Sequence, residues 1–285
     1  MRKRPAIKFT YTLALIALLI FGATQISEIT QERVPSNDVI DVITTTPPPT
    51  DIPDDQATIP DELGISAYYV APLTQESNTH EGSTQYGATI VLGELDGVGR
   101  STYAHIRLKD EHEPGFVDPA TGKPREKRNE RINVDPAGWK NFKIDGKWAN
   151  NRCHLIGYQF SGLNDELRNL ATCTSYLNKG SEGSGTDQNN PDGMLFYEQK
   201  LDKWLSDNPS NTLDYHIKPI YDGDDLTPSA YYMQWVGFND SSQVIAIDSL
   251  GGHAQHISDD VYGVLLQNMS PSYNVDTSTG IVSAK

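Results

Sequence analysis

Two runs rich in β-branched and aromatic residues, from Ala88 to Gly93 and from Ser101 to Leu108, are joined through Leu95-Asp96-Gly97-Val98-Gly99, and this predicts a hairpin. A second hairpin is predicted where Phe142 to Ile144 and Lys147 to Trp148 flank the turn pair Asp145-Gly146. His154-Leu155-Ile156-Gly157-Tyr158 reads as a short apolar strand. Asn164 to Arg168 reads as a helical turn with Asn164 as its N-cap. Ala171 to Leu177 fits a strand or a helix equally well. The clearest helical period runs from Asn190 to about Ser206, opened by Asn190-Pro191-Asp192 as cap and first-turn proline. Three further strands are predicted, Asp214 to Tyr221, Tyr231 to Phe238 and Gln243 to Asp248, separated by Asp222-Gly223 and Asn239-Asp240-Ser241-Ser242. Strands, a helical middle and strands again predict an α+β fold with a mainly antiparallel sheet.

The predicted helix carries one residue that its own pattern should exclude. At 100° per residue, Met194, Tyr197, Leu201, Trp204 and Leu205 form an apolar stripe. Glu198 lies inside that stripe. A buried carboxylate is costly unless it is paired, hydrogen-bonded or close to a metal. Glu198 is therefore either the partner of an arginine or part of a functional site.

The N-terminal part has a different character. Met1-Arg2-Lys3-Arg4-Pro5-Ala6-Ile7-Lys8 is strongly basic and an apolar run from Tyr11 to Ala23 follows, the pattern of an export signal. Residues 1–27 are expected to act as a signal peptide or, uncleaved, as a membrane anchor. Residues 28–64 are acidic, without aromatic residues, and hold Thr44-Thr45-Thr46-Pro47-Pro48-Pro49. Such a segment buries too little apolar surface to order itself and is expected to be a tether. Residues 65–285 are then one sizeable domain, placed outside the cell or on its surface.

Charge and cysteines refine this picture. A net charge of −15 over 285 residues speaks against nucleic acid, yet the tether carries much of that excess. The sign reverses locally, because Lys123, Arg125, Lys127, Arg128, Arg131, Lys140, Lys143 and Lys147 all precede His154 in one interval. They form either a solvated loop or a substrate-facing surface, and Lys127, Arg128 and Arg131 are the candidate substrate contacts. Cys153 and Cys173 suit an exported disulfide or two buried thiols.

The richest stretch for chemistry is Asn151-Arg152-Cys153-His154, followed by Asn169 and Asn178. On a strand, Arg152 and His154 share a face while Cys153 points away, so the adjacent cysteine and histidine cannot form a thiol–imidazole dyad. Taken singly, Asn169 and Asn178 read as turn or cap residues. The Asp187-Gln188-Asn189-Asn190-Pro191-Asp192 segment lacks the spacing of a calcium loop.

Together these residues resemble the active-site region of the DNA/RNA non-specific endonucleases of the His-Me finger (ββα-metal) superfamily, the streptococcal DNA-entry nuclease type above all. The family's motif is Asp-Arg-Gly-His. This chain keeps the arginine and histidine and has Asn151 and Cys153 at the other two positions. The stretch from Arg131 to Asn141 and the pair Gly99-Arg100 extend the likeness.

The resemblance implies a ββα-metal finger in which His154 is the general base. Asn178 would be the metal ligand, Asn169 would help build the site, and Glu198 would order the water around the metal. Arg152 or the basic loop would hold a phosphate. It further implies Mg²⁺, with Mn²⁺ able to substitute, DNA as substrate with RNA left open, 5′-phosphate products and no obligate protein partner. A lone neutral amide ligand suits hydrated Mg²⁺ and excludes a zinc site of the Cys/His kind. The competing readings are a tethered binding module for glycan or host protein, and a nuclease-like domain without activity.

Overall fold

A computed structural model describes residues 65–73, 83–118, 120–124, 131–140, 142–258 and 260–285. The expected export segment and tether lie outside these residues, as do Lys127 and Arg128. In chain order, β1 (Thr89–Leu92) and β2 (Ala104–Leu108) make the first predicted hairpin, with Ile90 opposite Ile106. A 3-10 turn at Asp110–His112 and the small ribbon of β3 (Val117–Asp118) with β4 (Lys123–Pro124) begin the long connection. β5 (Lys143–Ile144) and β6 (Lys147–Trp148) make the second hairpin. Its turn residues Asp145 and Gly146 sit at φ 49° and 77°, the left-handed pair that a two-residue hairpin requires.

The middle of the chain then forms β7 (Asn150–His154), α1 (Tyr158–Ser161), β8 (Leu170–Thr174), α2 (Ser175–Lys179) and α3 (Met194–Asp207). The sheet is completed by β9 (Thr212–Ile220), β10 (Ala230–Phe238), β11 (Val244–Ile245), β12 (Gln255–Ser258) and β13 (Val261–Gln267). A last hairpin joins β14 (Tyr273–Asp276) to β15 (Ile281–Ala284). The large sheet runs β1-β2-β9-β10-β13-β12, with β11 paired to the end of β10, and every pairing is antiparallel. The α+β expectation therefore holds.

Strand alternation gives the sheet two different faces. Ile106, Leu213, Tyr215, Ile217, Tyr231, Met233 and Trp235 point one way, into the core shared with β7, β8 and α3. His105, Asp214, His216 and Gln234 point the other way and are buried nonetheless. Segment 65–73 covers this second face: Gln234 exchanges two hydrogen bonds with the Val70 backbone, and Asp214 accepts one from Leu73 N at 2.9 Å. His105 Nε2 meets Asp214 Oδ1 at 2.5 Å, so these two polar groups hold each other under the strap.

Several boundaries differ from the sequence pattern. The helix begins at Met194 with Gly193 as N-cap, because Asn190 instead turns its side chain onto Asp192 N and the Gly180 carbonyl. Asn164 is not an N-cap: Glu166 caps the 3-10 turn Leu167–Asn169. The strand expected to start at His154 ends there, since its partner β8 begins at Leu170 opposite it. Ala171 to Leu177 divides into strand and helix, with Thr174 closing β8 and capping α2 through a hydrogen bond from Leu177 N. Only Val244 and Ile245 of the Gln243–Asp248 run pair as strand. The four strands after residue 250 carried no recognised pattern.

Cys153 and Cys173 form a disulfide between β7 and β8, and both are buried. Closing a loop of 20 residues contributes about 3 kcal/mol in the chain-entropy account. Replacing both cysteines by alanine is expected to lower the melting temperature by roughly 6–12 °C for a domain of this size. Calorimetry of the double variant reads this directly, and an unchanged transition would show that packing alone holds the two strands.

Candidate active site

The finger is built by direct succession. β7 and β8 pair from Asn150–Thr174 to His154–Leu170, and β8 passes without a linker into α2. α2 packs back on both strands and against α3. The approach to α3 needs glycine at two places. Gly180 sits at φ 73°, where a side chain would run into the Asp187 carbonyl, and a Cβ on Gly193 would lie 2.7 Å from Gly180 N. The C-terminal hairpin braces the far end of the finger: Tyr273 Oη donates to the Ala149 carbonyl and Asn150 Nδ2 to the Gly280 carbonyl.

His154, 9% exposed, ends β7, and its Nε2–H donates to the Asn164 carbonyl at 3.2 Å. In that tautomer the lone pair is on Nδ1. Asn169 is fully buried, and its amide is committed to the backbone of Ile156, accepting from the N–H at 2.9 Å and donating to the carbonyl at 3.0 Å. It fixes the turn that follows the histidine and so acts by position. Asn178 stands half-buried in the last turn of α2, and among the described residues no group hydrogen-bonds its amide. An asparagine oxygen presented in this way is a ready ligand for a hard cation. Among the described residues no cluster of three His, Cys, Asp or Glu side chains offers a competing metal cage.

Glu198 is 7% exposed on the core side of α3, as the helical phase demanded. Its Oε2 accepts from Gln159 Nε2 at 3.3 Å. The helix therefore reaches the segment that leaves His154, through a side chain on α1. Beneath it lies the fully buried Tyr215, whose hydroxyl is pushed well above the usual tyrosine range, first by burial and then by the charge of Glu198.

Arg152 is held differently from the phosphate clamp its position suggested. Its Nε donates to Asp135 Oδ1 at 2.8 Å, and the guanidinium lies 4.2 Å from the centre of the Trp139 ring. Both partners belong to segment 131–140, which is pinned along the finger. Asn164 Nδ2 donates to the Arg131 carbonyl, Asn133 N and Nδ2 donate to the Asp165 carboxylate, and Thr172 Oγ1 donates to the Ala137 carbonyl, each at 2.8 Å. The hydrogen bonds from Asn133 hold the Asp165 carboxyl below its ordinary pKa. Asn164 thus links the carbonyl of Arg131 to the ring of His154, which brings the exposed Arg131 beside the candidate base.

The sequence reading missed Gln159, Asp135, Trp139 and the bridging role of Asn164. Gln159 was visible as one polar residue within the apolar run from Leu155 to Phe160. The other three take their roles from contacts across 10 to 33 residues, for which no local signal exists.

An antiparallel sheet bearing a two-stranded finger, a histidine at the strand end and a short helix with an open asparagine defines a nuclease domain. The chain belongs to the DNA/RNA non-specific endonuclease family, whose model matches residues 77–235. A solved structure described as an extracellular endonuclease is 32% identical, with a TM-score of 0.59 over 76% of this chain and 92% of its own. Another, described as an extracellular nuclease, is 33% identical with a TM-score of 0.56, covering 73% of this chain and 99% of its own. The Sda1 nuclease, solved with a zinc ion, shares the fold at 20% identity and a TM-score of 0.50, over 69% and 82% of the two chains. No curated protein sequence matches the chain significantly.

Proposed function

We propose that the chain is an extracellular or surface-tethered, divalent-metal-dependent endonuclease acting on DNA with little sequence preference. In this reading RNA is a second substrate to be tested, and the products carry 5′-phosphates. The observation that carries the reading is His154 at the mouth of the finger, its tautomer set by the Asn164 carbonyl, with Glu198 buried on the adjoining helix. His154 in its neutral form takes the proton from the attacking water as the new P–O bond forms and the bond from phosphorus to the leaving 3′-oxygen breaks. Asn169 holds the backbone that aims it. Asn178 would ligate the cation, Mg²⁺ with Mn²⁺ able to replace it, and Glu198 would order the water around it. The cation supplies compensation for the charge that builds on the phosphate and the leaving oxygen. Arg152 stiffens segment 131–140, and Arg131 with the adjoining basic residues Lys127 and Arg128 grips the flanking phosphates.

The relatives named as extracellular support export of this chain, and residues 1–27 with the tether at 28–64 are the means. Plasmid incubated with the full chain and Mg²⁺ is expected to be nicked and degraded, and chelator is expected to stop this until Mg²⁺ or Mn²⁺ is restored. Degradation that continues in chelator would remove the metal from the reading, and plasmid left intact under both conditions would remove catalysis.

A further inference from the structure

The second hairpin carries the one exposed tryptophan of the described residues. Trp148 is 44% exposed, while Trp139 and Trp204 are half-buried and Trp235 is buried. Phe142, Ile144 and Ala149 pack on the C-terminal hairpin, and Trp148 stands outside that cluster. The packing of the hairpin therefore does not use the indole. Its backbone is tied to the finger, the Trp148 carbonyl accepting from Ser175 Oγ at 3.1 Å.

A single exposed apolar side chain carries no message by itself. This one stands among cations in a chain of net charge −15. Lys143 is its register partner across the hairpin, and the Lys143 ammonium lies 4.4 Å from the centre of the indole ring. Lys140 is exposed just before the hairpin, and Asp145 is the only acid between it and Trp148. Lys147 lies over Gly183 and beside Glu182, whereas Lys140 and Lys143 form no ion pair among the described residues.

Placement joins this hairpin to the candidate site. Trp148, Arg152 and His154 fall on one face of the extended run from Lys147 to His154. Segment 131–140 lies along the finger, with Arg131 linked to His154 through Asn164 and Lys140 at the hairpin end. The strand from Trp148 to His154 spans about 20 Å, the reach of a few nucleotides of extended chain.

We propose that the hairpin is a docking platform for single-stranded nucleic acid. An unstacked base, a few nucleotides from the scissile phosphate, lies on the open part of the Trp148 indole, and Lys143 holds the adjoining phosphate. This deepens the nuclease reading and rests on it. An uncharged glycan would gain nothing from Lys140 and Lys143, whereas a phosphate chain is attracted by both. A duplex keeps its base faces stacked on one another, so the indole selects a single strand. Stacking of this kind is open to every base, as cleavage without sequence preference requires.

The test compares a long homothymidine single strand with a trinucleotide too short to reach from His154 to Trp148, using the full chain and Mg²⁺. In Trp148→Leu, which keeps apolar bulk and removes the ring, kcat/KM on the long strand is expected to fall roughly fivefold or more, as loss of a stacked base implies. The ratio of long strand to trinucleotide is expected to fall with it, and Trp148→Phe to restore most of both. In Lys143→Gln the slope of log kcat/KM against log salt on the long strand is expected to flatten by about 0.7, the signature of one lost phosphate contact. An unchanged kcat/KM on the long strand in Trp148→Leu overturns the platform and leaves the nuclease standing, as does an unchanged slope in Lys143→Gln. An equal fall on both substrates makes Trp148 structural and overturns the platform too. Absence of chelator-sensitive cleavage of the long strand by the wild-type chain overturns the parent reading and the platform with it.

Discussion

Replacing His154 by alanine is expected to lower turnover on DNA by at least roughly two orders of magnitude, the usual contribution of a positioned general base. The fold is expected to survive. His154 ends its strand at the rim of the finger and is not part of the apolar cluster that holds the sheet to α3. Its Nε2–H bonds a backbone carbonyl at 3.2 Å, and losing a bond of that kind costs about 1 kcal/mol. The unfolding transition should therefore shift by only a few degrees while the rate collapses. A purified His154→Ala protein that degrades plasmid at the wild-type rate would end the assignment. One that fails to fold would show that the ring is structural, and His154→Asn, which can keep a donor toward Asn164, would then separate the two roles.

The second large effect is expected at Asn178. Alanine there removes the open amide oxygen, while α2 keeps its Thr174 cap and gains a better helix former. Activity at low Mg²⁺ is expected to fall at least as far as in His154→Ala. The Mg²⁺ concentration for half-maximal rate should rise by at least roughly tenfold, since even indirect supports of a metal site are worth that much. The two variants thus differ in kind: added metal should partly restore Asn178→Ala and do nothing for His154→Ala. Identical metal titrations for wild type and Asn178→Ala would move the ligand elsewhere.

How much of this was legible in the chain varies by residue. Glu198 was the clearest case, because helical periodicity is local and a carboxylate inside an apolar stripe is conspicuous; its burial at 7% exposed bears that out. The shared face of Arg152 and His154 also follows from strand alternation. Their partners did not follow. Arg152 meets Asp135 and Trp139, and the motif that suggested a phosphate clamp contains no hint of either. Asn164 looked like a cap because Asn before Asp-Glu usually is one, yet tertiary packing recruited it to join Arg131 to His154. The C-terminal hairpin bracing Ala149 and Asn150 was unread because its strands are short and its role is set across more than 120 residues.

The sequence by itself pointed to most of the local elements, the α+β class and the family, and it put forward His154, Asn178 and Glu198 as the candidate set. These rest on periodicity, turn chemistry and motif, which act over a few residues. Only the tertiary structure decided that Cys153 joins Cys173, that segment 131–140 is bound along the finger, and that Asn169 is committed to Ile156. It alone left Trp148 outside the packing of its hairpin, exposed beside Lys143. The reason is physical: those contacts exist because a cooperative core brings distant segments together, and no single segment carries the energy or the geometry that selects its partner.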